Sequence, residues 1–316
     1  GTNGLTIATG FAFTVRNVSF RNAGGTATHA FTAAANSSVL CENCNFENRV
    51  ILNESTGTRS FAAVFRDCSF APDAAGSGSN ASIELTCADD ADTYLFENCS
   101  FVTTTRVTVM KVTPGSPGAP AVCSNIRFVG CALSLVAASV TAGDADWNAG
   151  AVFIENTGSS NMVFEDITFE DCRVLANRLS AASSHACLLD FRTARTVRNF
   201  NILGGRWEIN PVDSLISPFF LGAASAFPSF SNLLNVRIEN VDWGFTGTVA
   251  TVYGDAAAAL AFGGTAAEWA AFVIQADDTV TMTNVRWITC TTQSDSGDLY
   301  IFEPGRWDIH GLELHT

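Results

Sequence analysis

The sequence predicts an all-β chain: a right-handed parallel β-helix, a solenoid of about ten coils that forms a single domain over residues 1–316. Three observations lead there. A six-residue phrase recurs along the chain, reading apolar, any, Asn/Asp/Gly, small or Cys, polar, apolar. The third place of that phrase always holds a residue that tolerates left-handed backbone. The columns beside it then carry like side chains, as successive parallel strands do when they stack.

The phrase reads VRNVSF from Val15, CENCNF from Cys41, FRDCSF from Phe65, FENCSF from Phe96 and FVGCAL from Phe128. It continues as FEDCRV from Phe169, ILGGRW from Ile202, IENVDW from Ile238, MTNVRW from Met282 and IHGLEL from Ile309. Successive phrases start 24 to 44 residues apart, so the phrase is constant while the connections are not.

Each place has a physical reason. Apolar residues at the first, fourth and sixth places all point inward if the chain turns a corner at the third. A corner that tight needs left-handed αL backbone, which Gly, Asn and Asp adopt at least cost. The third place holds Asn17, Asn43, Asp67, Asn98, Gly130, Asp171, Gly204, Asn240, Asn284 and Gly311. The fourth place carries Cys44, Cys68, Cys99, Cys131 and Cys172 in succession, which act there as small hydrophobes. The sixth runs Phe20, Phe46, Phe70, Phe101, Leu133, Val174, Trp207, Trp243, Trp287 and Leu314. The outward second place begins Arg16, Glu42, Arg66, Glu97, so opposite charges alternate between adjacent rungs. A second apolar strand lies between phrases, for example at Ser82, Thr108, Val152, Cys187, Phe272 and Leu299.

On these stacked Asn corners and aromatic and Cys columns, the chain resembles the pectin-lyase-like superfamily of right-handed β-helices over nearly its whole length. The resemblance implies the fold; many functions share its markers. The signatures of its polygalacturonase-like members, Asn-Thr-Asp, Gly-His-Gly and Arg-Ile-Lys, do not occur here.

Length variation concentrates in two insertions, at about 134–150 and 244–271. Solenoid insertions emerge on one face, which commonly carries the binding surface. Asp144, Asp146 and Trp147 in the first, with Tyr253 and Trp269 in the second, are the candidate glycan-binding residues. A solvated acidic turn is the plainer reading of the first group. Asp255 would cap a short helix over the Ala-rich stretch that follows it.

Charged residues make up only 15% of the chain, and 31 acidic residues face 17 basic ones for a net charge of −14. Such a surface repels polyanions, which excludes nucleic acid as a natural partner. A sparsely charged surface suits a subunit packed against its own kind. No stretch is long and apolar enough to read as a membrane span.

Parallel rungs place equivalent Cβ atoms near ~4.8 Å, slightly beyond disulfide reach, so the Cys column is expected to stay reduced. Cys41 and Cys44 both fall on inward places, which argues against a metal or redox role, while Cys290 lies outside the column. The pairing state of Cys41 and Cys290 is open. His29, His185, His310 and His315 have no metal-ligand spacing, and no cofactor is expected; Ca²⁺ would require the acidic loops. If the chain were an enzyme, the acidic doublets Asp89, Asp90, Asp277 and Asp278 would be the weak catalytic candidates, because glycosidases work with paired carboxylates.

Neither end of the chain reads as an amphipathic cap. An uncapped solenoid that meets its own kind makes open, heterologous contacts. The expectation is a non-enzymatic structural protein, extracellular, on a cell surface or in a virion, that self-assembles through its coil ends or loop face. The alternative is a carbohydrate-active or glycan-binding β-helix, such as a tailspike-type depolymerase, a polysaccharide lyase or an adhesin.

Overall fold

The computed structural model describes residues 2–21, 28–33, 36–47, 49–54, 60–71, 80–87, 92–103, 107–114, 122–137, 153–155, 162–178, 186–190, 194–210, 216–222, 232–245, 269–275, 280–288, 291–292, 297–302 and 307–315. Side chains are described at positions within 4–242. The described residues are all-β, without a helix, and every strand pairing among them is parallel.

The strands form three sheets. Sheet A stacks Thr2–Ile7, Thr28–Ala33, Arg49–Glu54, Asn80–Cys87, Val107–Pro114, Phe153–Glu155, Ala186–Asp190, Ile216–Gly222, Trp269–Gln275 and Gly297–Phe302 in chain order. Sheet B runs from Ala12–Arg16 through Ser37–Glu42, Phe61–Arg66, Thr93–Glu97, Val122–Val129, Met162–Glu170 and Ala194–Leu203. It continues through the pair Asn232–Leu234 and Arg237–Glu239 to Val280–Ile288 and Trp307–His315. Sheet C begins at Ser19–Phe20, passes through Asn45–Phe46, Ser69–Phe70, Ser100–Thr103, Ala132–Ala137, Arg173–Arg178, Arg206–Asn210 and Asp242–Phe245, and closes at Thr291–Thr292. The chain visits A, B and C in turn before returning to A, with two short strands in sheet B, Asn232–Leu234 and Arg237–Glu239, in one rung. That connectivity is compatible with a solenoid, because parallel neighbours need a crossover and here the other two sheets provide it.

The phrase occupies the turn from sheet B into sheet C. Its third-place residues Asn17, Asn43, Asp67, Asn98, Gly130, Asp171, Gly204 and Asn240 all have positive φ, between 50° and 67°. The hydrogen-bond ladder continues around this corner. From Asn17 to Gly204 each corner N–H donates to the second-place carbonyl of the next rung, as Asn17 does to Glu42 at 3.0 Å and Asn43 to Arg66 at 2.9 Å. Each fifth-place N–H donates to the fourth-place carbonyl of the rung before, as Asn45 does to Val18 at 3.0 Å. These two bonds carry the parallel pairing through the turn from sheet B to sheet C.

Two aromatic columns fill the space behind the corner. Sixth-place rings stack from Phe46 onto Phe70 (5.0 Å, 11°) and from Phe70 onto Phe101 (4.7 Å, 4°). First-place rings stack from Phe96 onto Phe128 (4.8 Å, 17°) and from Phe128 onto Phe169 (4.9 Å, 2°). The two columns meet edge to face, Phe96 against Phe101 at 5.8 Å and 70°. Burying such rings removes large apolar areas from water, and both geometries suit the aromatic quadrupole.

One expectation is corrected. Asn284 and Gly311 do not continue the corner column of Asn240. Leu234 pairs with Thr283 and Arg237 with Arg286, which sets Asn284 in register with Asn235. Thr283 pairs in turn with His310 and Val285 with Leu312, setting Gly311 over Asn284. Trp287 consequently pairs with Ile238 and not with Trp243. The reason is a second corner inside sheet B. Asn125, Asp166, Asn199 and Asn235 also have positive φ, and each precedes a phrase corner by five residues. Their side chains form a ladder of their own: Asn235 Nδ2 donates to Asn199 Oδ1 at 3.0 Å, and Asn199 Nδ2 to Asp166 Oδ1 at 2.9 Å.

Candidate functional site

The Cys column lies against the corner. Each thiol donates toward the carbonyl of the first-place residue one rung before: Cys68 to Cys41 at 3.4 Å, Cys99 to Phe65 at 3.4 Å, Cys131 to Phe96 at 3.3 Å and Cys172 to Phe128 at 3.5 Å. A second carbonyl, two residues back in the same rung, lies equally close, as Arg66 O does to Cys68 at 3.2 Å. Burial pushes the thiols of Cys41 and Cys44 above their ordinary value. Hydrogen bonding between neighbouring thiols pushes Cys99 and Cys172 up and Cys68 and Cys131 down, while burial opposes ionisation of all four. A thiolate here would face carbonyl oxygens in a desolvated core, so the column has the chemistry of packing and not of a nucleophile. Cys41, Cys44, Cys68, Cys99, Cys123, Cys131 and Cys172 are free and buried.

The outward second place forms the alternating ion ladder that the sequence predicts. Arg16 pairs with Glu42, Arg66 reaches Glu42 at 3.8 Å and Glu97 at 2.7 Å. These pairs are solvent-exposed, so they define register more than they stabilise.

The first rung presents a different face. Val18 is 39% exposed, whereas Cys44, its counterpart one rung on, is 2% exposed. Phe13 is 37% exposed against 1% for its register partner Val39, and Phe11 reaches 65%. These residues belong to inward columns of the first described rung. Phe11, Phe13, Val18 and Val102 are the large hydrophobic side chains that the described residues expose.

Behind this rung sits His29, 5% exposed, with its ring 5.5 Å from Phe20 and 6.5 Å from Phe46. It is hydrogen-bonded to the Phe20 backbone, and its Nε2 has no partner. Burial lowers its pKa from the ordinary value of 6.5, and the Phe20 contact only partly offsets that. Asp92, also buried, accepts hydrogen bonds from the Phe61 N–H at 2.8 Å and the Tyr94 hydroxyl at 3.3 Å, which ties two rungs together.

Cys44, Cys68, Cys99, Cys131 and Cys172 are brought together in one column, and Asn17, Asn43, Asn98 and Asn240 in another. Asp89, Asp90, Asp277, Asp278, Asp144, Asp146, Trp147, Tyr253, Asp255 and Cys290 lie outside the described residues. Trp269 opens the sheet A strand Trp269–Gln275, Gly244 lies in the sheet C strand Asp242–Phe245, and residues 134–137 belong to Ala132–Ala137. Among the described residues no cluster of three or more His, Cys, Asp or Glu side chains is arranged to hold a metal ion, and no helix is long and apolar enough to cross a membrane. The exposure of Phe11 and Phe13 escapes sequence reasoning because both read as ordinary strand residues. No protein-family model matches the chain, and no curated protein matches it.

Proposed function

We propose that this chain is a right-handed parallel β-helix of about ten coils, of the pectin-lyase-like kind, and that it serves as a non-enzymatic structural scaffold. Its setting is extracellular, on a cell surface or in a virion, and its partner is its own kind. The observation that supports the scaffold reading is the corner column, in which Cys44, Cys68, Cys99, Cys131 and Cys172 are each 2% exposed or less and serve to pack one rung on the next. The sparse charge of the chain, 15% of its residues, supports a surface packed against its own kind.

Negative-stain electron microscopy with sedimentation velocity over a concentration series tests the reading. Regular polymers or a concentration-dependent ladder of oligomers is the expected result. A monodisperse monomer overturns it. Release of reducing ends or unsaturated products from a polysaccharide panel would overturn the non-enzymatic part and install the carbohydrate-active alternative.

A further inference from the structure

The outer face of sheet B carries columns of side chains that are set by register. Leu40 pairs with Val64 and Val64 with Leu95, which stacks three aliphatic side chains on that face. All three are half-buried, while Val39, Ala63 and Tyr94 before them on the same strands point into the core. Leu40 and Val64 lie on strands that are paired on both sides, so their exposure belongs to the wall of the stack and not to an end. On one side of this stripe runs the charge column Arg16, Glu42, Arg66 and Glu97. On the other, Ser38 pairs with Ala62, and both are small enough to let a second surface come close.

The order of the charges makes this face self-complementary. Along the stack it runs plus, minus, plus, minus, and in reverse it runs minus, plus, minus, plus. A twofold axis along the strands, midway between the Glu42 and Arg66 rungs, presents a second copy with its rungs in reversed order. Glu42 then faces Arg66 of the second copy, and Arg16 faces its Glu97. The same rotation sets Leu40 against Val64 of the second copy and Ser38 against its Ala62. An axis through a rung, and not between two, would set like charges face to face. Such a contact is isologous, so every pair occurs twice.

We propose that the outer face of sheet B around Leu40, Glu42, Val64 and Arg66 binds a second copy of this chain, with the two stacks antiparallel about that axis. The proposal rests on the reading that the chain packs against its own kind, and it names the surface and the symmetry. Three columns over four rungs supply about a dozen side chains per copy, below the roughly 20–30 of a standard interface, so the dimer is weak. Within one chain these exposed charge pairs contribute little, which leaves partner choice as their larger effect.

Sedimentation velocity of the full chain, from about 10 µM to about 1 mM, reads the contact. A dimer is expected, about tenfold weaker in Arg66→Glu, because that change opposes two carboxylates twice across the axis. Glu42→Arg combined with Arg66→Glu is expected to restore the dimer to within about threefold of the unaltered chain. Inside one chain the double change puts like charges on neighbouring rungs, so only contact between copies gives this rescue. Arg206→Glu in sheet C changes the net charge by the same amount and is expected to leave the dimer unaltered. Val64→Lys keeps the charge column intact and is expected to weaken the dimer at least about tenfold. Far-UV circular dichroism checks that each variant keeps its fold. A monomer at every concentration, full dimerisation of Arg66→Glu or Val64→Lys, or a double variant no better than the single one overturns the proposal. A chain that stops at a dimer sensitive to these changes keeps this inference and loses the polymeric reading. A chain that polymerises alike in every variant does the reverse.

Discussion

The thiol of Cys131 donates to the carbonyl oxygen of Phe96, 3.3 Å away on the preceding rung, and the same relation links Cys172 to Phe128 and Cys99 to Phe65. The cysteines therefore serve as small side chains that also satisfy a carbonyl at the corner. Ionising one would place an anion against two oxygens in the core. Cys41, Cys44, Cys68, Cys99, Cys123, Cys131 and Cys172 are expected to resist iodoacetamide in the native chain and to react together on denaturation. Mass spectrometry of labelled peptides reads this out; rapid native labelling of any of them contradicts the packing.

Gly205 occupies the Cys column one rung beyond Cys172, with φ at +84°. A Cβ there would meet the Cys172 carbonyl oxygen and lie 2.8 Å from its nitrogen. Gly205→Ala is expected to cost more than about 2 kcal/mol, combining αL strain with a backbone clash. Gly10→Ala has a similar φ of +75° and nothing within 4 Å of the added carbon, so it should cost about 1 kcal/mol. Urea titrations of the two variants measure the contrast.

Phe96 is fully buried and stacks between Phe65 at 5.3 Å and Phe128 at 4.8 Å. Phe96→Ala is expected to destabilise by about 3–5 kcal/mol. Phe13→Ala removes a ring that is already 37% exposed and should cost about 1 kcal/mol. Chemical denaturation distinguishes them, and equal losses would contradict the exposure of Phe13.

His29 gives the chain a pH dependence of definite sign. Its folded pKa is lowered by burial, so the unfolded chain binds the proton more readily. Its contribution to stability is complete above the ordinary value of 6.5 and is lost as pH falls from there toward the lowered folded value. Nearby charged groups are engaged in pairs, Arg21 with Glu47 just past the sheet C strands at 3.0 Å and Arg49 with Glu84 in sheet A at 2.8 Å. His29→Leu is expected to remove a slope of up to about 1.4 kcal/mol per pH unit in this window. Stability curves of the two proteins that run parallel below pH 6.5 would contradict the burial.

Much of the sheet B to sheet C turn was legible because its constraints are local. A left-handed corner admits few residue types, so Asn17, Asn43, Asp67 and Asn98 announce themselves, and the alternation of Arg16, Glu42, Arg66 and Glu97 follows from their pairing. The second corner was not read, although Asn125–Gly130, Asp166–Asp171, Asn199–Gly204 and Asn235–Asn240 share one spacing that would have exposed it. Around Asn284 the same missing corner misled the register. Asn-Val occurs at both Asn235 and Asn240, so the local pattern around Asn284 fits either column.

The sequence by itself determined the repeating unit: where the chain turns, which side chains stack, and that the cysteines belong inside. Those follow from backbone sterics and from burial, which act within a few residues. Only the tertiary structure decided which corner lies over which. It also left Val18 open while Cys44 is sealed, and drew His29 into the core without a partner for Nε2. The reason is physical: pairing register and solvent exposure belong to the neighbouring rung, and no residue carries in its own type a record of what covers it.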